Sequence, residues 1–199
     1  VGDDIKDIDD AISYKYENGF HVLGVHIADV SYYVNENSYL DKDALSRGTS
    51  SYLADSVIPM LPHKLSNGIC SLNEGVIRLT QSCVMQMDDN GNVKSYDIFP
   101  SYIKSRKKMT YKKVNDIIMR NIIDPEYKDF ATILLKMNDL AHILRKNKVR
   151  RGYIDFDLDE AKIIVDKDKN VIGVEKRVRE DAERMIEDFM IAANETVAT

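Results

Sequence analysis

Alternation of apolar and polar residues marks three segments of the chain as β-hairpins. The first covers residues 11–34, where the Asn18-Gly19 turn signal separates two alternating stretches. The second joins 81–87 to 93–103 through Asn90-Gly91, and the third joins 161–165 to 171–177. The acidic residues that precede position 11 are therefore predicted to lie at the mouth of the first strand.

Apolar residues recur at helical spacing in three further segments, 110–120, 125–147 and 179–198. The pattern is clearest in the last segment, where one face is formed by Ala182, Met185, Ile186, Phe189 and Ala193. Strands and helices occur in blocks, which favours an α+β fold over a doubly wound parallel sheet. We predict a largely antiparallel sheet built from hairpins, with helices packed against it.

Composition and charge restrict the class of protein. Of the 199 residues, 44% are hydrophobic and 31% are charged, as in a folded domain. No apolar run approaches the roughly 18 residues that span a bilayer, and no signal peptide is recognisable, so a cytoplasmic location without a membrane partner is expected. The net charge of −5 argues against binding nucleic acid mainly by bulk attraction. Cys70 and Cys83 have no metal-site spacing and are predicted to be buried thiols.

The first ten residues contain a dense group of carboxylates. Five of them fall within eight positions, namely Asp3, Asp4, Asp7, Asp9 and Asp10. Carboxylates this close together disfavour one another's ionised form, so a folded site either keeps a proton or binds a cation. Their hard oxygen ligands favour Mg²⁺ or Mn²⁺ over zinc. The alternative is a solvated acidic terminus, which is disfavoured because apolar residues alternate with the acids.

Three known uses of such a cluster fail on their context. A calcium-binding EF-hand loop starting at Asp7 needs Gly and Glu where Ile12 and Asn18 stand. The DDxxD string of isoprenoid synthases belongs to all-helical enzymes, and a dehalogenase-type phosphatase needs a buried apolar strand before its Asp-x-Asp. What remains is Asp-x-Asp-Asp beside a sheet, which suits one or two divalent ions acting on a phosphodiester.

The sequence resembles the catalytic domain of the ribonuclease II family, and it is most similar to the bacterial ribonuclease R branch. Eight ordered segments carry the resemblance: DIKDIDDA (4–11), HIADVSYYV (26–34), RGTSSY (47–52), PMLP (59–62), LSNGICSLN (65–73), MTY (109–111), RGYIDF (151–156) and ERMIEDFMIAAN (183–194). They cover nearly the whole chain, so the resemblance is specific. It implies an RNB-type fold.

The resemblance also implies a function. Family members are processive hydrolytic exonucleases that degrade single-stranded RNA from its 3′ end and release nucleoside 5′-monophosphates with Mg²⁺ or Mn²⁺. Asp7, Asp9 and Asp10 fall on three of the family's four active-site aspartates, which ligate metal and orient water. Tyr52 and Phe156 fall on the aromatic residues that stack the terminal bases. No small-molecule cofactor is expected.

Other candidate RNA contacts come from basic and polar segments. The stretch 104–113, which includes Arg106, is interpreted either as a phosphate-binding segment or as a solvated face ahead of a helix. The stretch 145–151, which includes Arg151, leads toward Phe156 and is a second candidate. Asn67 is a candidate through its family segment alone. His21 and His26 lie five residues apart in a predicted strand, so they should point to opposite faces, which disfavours a histidine metal site.

Two departures from the family pattern qualify the assignment. The family's first aspartate precedes the glycine that aligns with Gly2, where this chain has Val1. The family's catalytic arginine comes from a segment that does not occur in these 199 residues. We therefore interpret residues 1–199 as the N-terminal half of an RNB-type catalytic domain, which alone should have negligible nuclease activity. The alternatives are a non-catalytic RNA-binding module and, more remotely, a phosphatase.

Overall fold

The computed structural model of the protein describes residues 1–2, 5–53, 56–154, 161–166, 171–176 and 179–199. Its strands and helices, in chain order, are β1 (Asp10–Glu17), β2 (Phe20–Ala28), α1 (Tyr39–Arg47), β3 (Ser51–Tyr52), β4 (Val57–Ile58), β5 (Ile77–Met87), β6 (Val93–Lys104), α2 (Tyr111–Arg120), α3 (Ala131–Arg150), β7 (Ala161–Val165), β8 (Val171–Lys176) and α4 (Asp181–Val197). Short 3₁₀ helices cover Val30–Tyr32 and Pro125–Phe130, and a π-helical turn covers Lys64–Ile69.

The main sheet has four antiparallel strands in the order β1-β2-β5-β6. The first two predicted hairpins form its two halves, and the third forms a separate pair, β7-β8. The tight turn between β1 and β2 uses Asn18 at φ 53° and Gly19 at φ 80°, the left-handed conformation that two-residue hairpin loops require. The predicted hairpins and the antiparallel sheet are therefore confirmed.

The hydrophobic core lies between one face of the sheet and the helices α2, α3 and α4. Alternate strand residues such as Leu23, Val25 and Met85 point into it and are at most 1% exposed. From α4, the predicted apolar face supplies Ala182, Met185, Phe189 and Ala193, all buried, with Ile186 partly buried. Cys83 lies in this core and Cys70 in a second cluster, so both cysteines are buried thiols as predicted.

Ionic contacts add to the packing of α3 on α4. The Asp188 carboxylate on α4 is 4% exposed and accepts hydrogen bonds from Arg145 Nε at 2.9 Å and Lys148 Nζ at 3.0 Å. Two turns further along α4, the exposed Glu195 pairs with Arg151. The contact between α3 and α4 therefore contains one buried ionic group, around Asp188, and one exposed ion pair, between Glu195 and Arg151.

The predicted helices form, but α1 was not predicted. This helix has nine residues and buries only Ala44, so few of its positions mark a core-facing side from which it could be recognised. Among the described helices, including the 20-residue α3, none has the length and apolar character that crossing a bilayer requires.

Candidate active site

The acid segment, residues 6–10, approaches the sheet beside the first residue of β1. Burial alternates along it, because Asp7 is partly exposed, Ile8 is buried and Asp9 is exposed. Ile8 is 7% exposed and packs in the second apolar cluster with Ala28, Cys70 and Leu72. Burying such a side chain contributes about 1.5–3 kcal/mol, so Ile8 anchors the segment and leaves its acidic neighbours toward solvent.

Backbone hydrogen bonds tie the acid segment to two other parts of the fold. The Asp9 carbonyl accepts from the Ala28 amide at 2.8 Å, next to the point where Asp10 pairs with Ile27 of β2. The Ile8 carbonyl accepts from the Leu72 amide at 2.9 Å. The segment is therefore held between the end of β2 and the loop that precedes β5.

The carboxylates of the acid segment interact electrostatically. Although Asp9 as a whole residue is exposed, partial desolvation of its carboxylate raises the pKa of Asp9, and the nearby charges of Asp7 and Asp10 raise that pKa further. Burial also raises the pKa of Asp10. Mutual repulsion of this kind favours a proton or a bound cation, as the sequence predicted.

Tyr52 lies directly against the acid segment. Its hydroxyl donates to Asp7 Oδ2 at 3.4 Å, a long and weak hydrogen bond, while 69% of the residue is exposed. Burial of the hydroxyl and the Asp7 charge together raise the pKa of Tyr52. The structure therefore brings together the predicted carboxylates and one predicted stacking residue, with an exposed aromatic ring next to Asp7. Phe156 lies outside the described residues.

Asn67 lies in the π-helical turn that leads to the second apolar cluster. It is partly buried, and its side-chain oxygen accepts from the Ser66 hydroxyl at 3.1 Å. Three residues later stands Cys70, whose pKa is raised by burial and then by the charge of Asp9. The turn that carries Asn67 thus adjoins the acid segment.

The two candidate arginines lie at opposite ends of the sheet. Arg106 follows β6 at the end that carries Asp10, and its guanidinium lies 5.3 Å from the centroid of the Phe130 ring. Arg151 donates to both Glu195 carboxylate oxygens, at 3.0 and 3.1 Å, beside a cavity of about 520 Å³ that Gly91 also lines. Gly91 lies beyond Met87 at the far end of β5, and about 20 Å of strand separates Met87 from Gln81, the β5 residue level with Asp10. Only Arg106 therefore lies near the acid segment.

Two lysines of the basic stretch around Arg106 form ion pairs with acidic side chains. Lys107 and Lys113 both form ion pairs with Glu126, and Lys113 also pairs with Asp124. These exposed pairs contribute about 0–1 kcal/mol each, so a phosphate can replace the carboxylates at little cost. The geometry is compatible with both interpretations of the stretch.

The two histidines point to opposite faces of β2, as predicted. His21 Nδ1 lies 2.8 Å from the Tyr14 hydroxyl. His26 lies between the hydroxyls of Ser13 and Ser82, at 2.9 and 2.7 Å. Burial lowers the pKa of both rings, so each serves as a neutral hydrogen-bonding group.

Asp29 was not singled out from the sequence, although it lies in the segment HIADVSYYV. It is 9% exposed at the end of β2 and accepts from the Ser31 hydroxyl, the Tyr32 amide and the Gln81 side chain. Its neighbour Ala28 bonds to the acid segment, so a fourth carboxylate stands near the site. A single Asp in strand-like sequence gives no signal of such a contact.

The donor chemistry of the site suits a hard divalent ion. Within the described part of the chain, no three Asp, Glu, His or Cys side chains gather closely enough to hold a metal ion by themselves. Mg²⁺ is commonly held by one or two carboxylates, with waters and substrate phosphates completing its shell. Asp7, Asp9 and Asp10 fit this partial, open mode of binding and do not form a closed protein cage.

Comparison with known proteins identifies the fold and the family. Ribonuclease R of Thermotoga maritima is 52% identical over 199 residues, which cover 99% of this chain and 28% of the relative. Ribonuclease R 1 of Lactococcus lactis is 55% identical over 200 residues, which cover 100% of this chain and 24% of the relative. The chain thus spans about a quarter of the length of these curated relatives.

A solved structure extends the comparison to three dimensions. Mycoplasma genitalium RNase R in complex with ribose methylated single-stranded RNA superimposes with a TM-score of 0.91 and 35% identity, over 99% of this chain and 31% of that one. The RNB domain family matches residues 1–199. The expected fold class of helices with antiparallel sheet is therefore confirmed, and the chain belongs to the RNB domain family.

Proposed function

We propose that the full-length protein is a processive exoribonuclease that hydrolyses single-stranded RNA from its 3′ end and releases nucleoside 5′-monophosphates. The observation that carries the proposal is the exposed Tyr52 ring beside the Asp7 carboxylate, within a group of mutually repelling aspartates. Membership of the RNB family and the likeness to proteins named ribonuclease R support it. The RNA in the Mycoplasma genitalium complex supports the choice of substrate.

The aspartates would hold Mg²⁺ or Mn²⁺ and orient the attacking water. A bound divalent ion supplies Lewis-acid stabilisation of the phosphate and lowers the pKa of water. The pKa values of Asp9 and Asp10 are raised in the metal-free protein, and a bound cation would lower them by stabilising the ionised carboxylates. Binding of the ion and release of protons from these two residues are therefore coupled. The Tyr52 hydroxyl donates a hydrogen bond to Asp7, and this contact supports a position for the Asp7 carboxylate near the bound base.

Tyr52 would hold a terminal base by stacking. Its exposed ring offers about 1–3 kcal/mol per stacked base whatever the base identity, as a sequence-indifferent nuclease requires. Phe156, Asn67 and Arg106 are proposed as further RNA contacts. Arg151 is a weaker candidate, because Glu195 neutralises it at the remote end of the sheet.

The test is digestion of 5′-labelled single-stranded RNA by the full-length protein with Mg²⁺. We expect stepwise shortening from the 3′ end and no digestion of DNA. Asp9→Asn should abolish the reaction, because it removes a carboxylate from the site. Asp89→Asn, an exposed carboxylate on the turn at the other end of the sheet, is the matched control and should leave the rate unchanged. Full activity in Asp9→Asn would contradict the proposed role.

A non-catalytic RNA-binding module is the alternative. It is favoured by Val1, which stands where the family pattern has its first active-site aspartate. Titration of the full-length protein with Mn²⁺ separates the two functions. The nuclease should bind the ion with an affinity that falls in Asp9→Asn, whereas the binding module should retain RNA without binding Mn²⁺ or shortening its ligand.

A further inference from the structure

Ser71 lies beneath the acid segment and has no exposed surface. Its Oγ accepts from the Ile8 amide at 3.0 Å and donates to the Lys6 carbonyl at 2.7 Å. The two partners are the residues on either side of Asp7. One hydroxyl therefore fixes the backbone orientation of the residue that carries a metal-binding carboxylate.

Arg78 holds Ser71 in turn. Its Nε donates to the Ser71 carbonyl at 2.9 Å, and its Nη2 donates to the Gly68 carbonyl at 3.1 Å. Arg78 belongs to β5, so its planar guanidinium connects the loop 68–71 to the main sheet. A continuous series of contacts therefore runs from β5 through Arg78 and Ser71 to the backbone around Asp7.

A packing role alone does not account for this arrangement. Ile8 and Leu72 already supply apolar contacts at the same point, and the backbone bond between them aligns the two segments. Ser71 adds two directional bonds, which restrict rotation of the peptide groups that flank Asp7. A metal ligand must be held within about 0.5 Å of its binding position, and the two bonds of Ser71 restrict the backbone of Asp7 in this way.

We propose that Ser71 is a positioning residue for the metal-binding carboxylate of Asp7, and that Arg78 supports it. This inference rests on the proposed nuclease function, because the purpose of positioning is to hold the ion. Ser71 does not contact the substrate. Its removal should loosen ion binding without changing how RNA bases are held.

The first measurement is Mn²⁺ binding by the full-length protein without RNA. Ser71→Ala is expected to weaken Mn²⁺ binding about tenfold, in line with the 10–100-fold effects of losing outer-shell partners. In activity assays, kcat should recover at high Mn²⁺ while KM for RNA stays unchanged. Arg78→Lys keeps the positive charge but cannot bond to both the Ser71 and Gly68 carbonyls, so it should reduce Mn²⁺ affinity by less than Ser71→Ala does. This variant tests the proposal if Ser71→Ala fails to fold.

Ser82→Ala is the matched control. Ser82 is 1% exposed, and its hydroxyl bonds to the side chains of His26 and Ser101 and not to the backbone of the acid segment. It should lower thermal stability as Ser71→Ala does but keep Mn²⁺ affinity within twofold of wild type. Unchanged Mn²⁺ affinity in Ser71→Ala, or equal losses in the two variants, would overturn the positioning role.

Amide hydrogen exchange tests the same role without any metal. A peptide covering residues 6–9 should exchange faster in Ser71→Ala than in wild type or Ser82→Ala, because the Ile8 amide loses its acceptor. Equal exchange would overturn the inference. Wild-type protein that neither binds Mn²⁺ nor digests RNA would refute the proposed function instead, and the exchange result would then show only whether Ser71 restrains the backbone around Asp7.

Discussion

Replacement of Asp188 by Asn should weaken the packing of α4 on α3 by about 3–5 kcal/mol, the usual cost of removing one partner of a buried ion pair. The Asp188 carboxylate is 4% exposed and bonds both Arg145 and Lys148. Lys148 is itself 8% exposed, and its Nζ lies 4.0 Å from the centroid of the Tyr153 ring. Water therefore cannot readily replace the lost charge. Arg145 and Lys148 then keep only their longer ionic contacts, to Asp181 at 3.6 Å and to Glu187 at 3.8 Å.

The assay is native-state hydrogen exchange of α4 in the full-length protein, which reports the opening free energy of this helix. A loss of about 3 kcal/mol corresponds to an increase in exchange rate of more than a hundredfold, since about 1.4 kcal/mol is a factor of ten. Core peptides around Phe189 are the readout, because this side chain has no exposed surface.

Glu195→Gln provides a matched control on the same helix. Glu195 pairs with Arg151 at 3.0 Å, but the two side chains are 51% and 59% exposed. An exposed pair contributes about 0.2–1 kcal/mol, so exchange should rise less than about fivefold. Equal effects of Asp188→Asn and Glu195→Gln would refute the reasoning, because Asp188 is buried and binds two cations, whereas Glu195 is exposed and binds one.

Two further predictions concern the site. Tyr52→Ala should lengthen the shortest oligonucleotide left after exhaustive digestion, because it removes one stacking surface worth about 1–3 kcal/mol. Tyr52→Phe keeps the ring and should keep the wild-type product ladder. An unchanged ladder in Tyr52→Ala would contradict base stacking. Acidification should weaken Mn²⁺ binding at a higher pH than for ordinary aspartates, because the raised pKa values of Asp9 and Asp10 let protons compete with the ion. Acidification should have the opposite effect on the folding stability of the metal-free protein. Its free energy of unfolding should rise as pH falls through the pKa values of Asp9 and Asp10, because the folded state binds these protons more tightly than the unfolded state. Calorimetric Mn²⁺ titrations across pH measure the ion affinity, and thermal melts across pH measure the stability of the metal-free protein. Affinity and stability that do not change with pH would argue against the raised pKa values.

Local signals account for the parts of the fold that were predicted. The Asn18-Gly19 turn and the alternation around it are contained within a few residues, so the hairpin is visible in the sequence. The apolar face of α4 is likewise a local pattern. The helix α1 escaped prediction because it has only nine residues and buries only Ala44, so few of its positions mark a core-facing side.

The residues of the candidate site also divide into those that the sequence identified and those that only the structure revealed. Asp7, Asp9 and Tyr52 were identified through family segments, and the bond from Tyr52 to Asp7 joins two of them across 45 residues. The role inferred for Ser71 depends on contacts 63 and 65 residues away, which no local pattern encodes. The separation of Arg151 from the acid segment depends on how α3 packs on the sheet, so the sequence could not reveal it.

The hydroxyl contact between Ser71 and Lys6 also governs when the site can form. It closes a loop of 65 residues, so the acid segment is synthesised well before the residues that hold it. At about 5–20 residues per second, the interval during synthesis is roughly 3–13 s. Throughout that interval the aspartates belong to an unanchored nascent chain. The proposed ion site can therefore assemble only after Ser71 and the β5 residue Arg78 have been made.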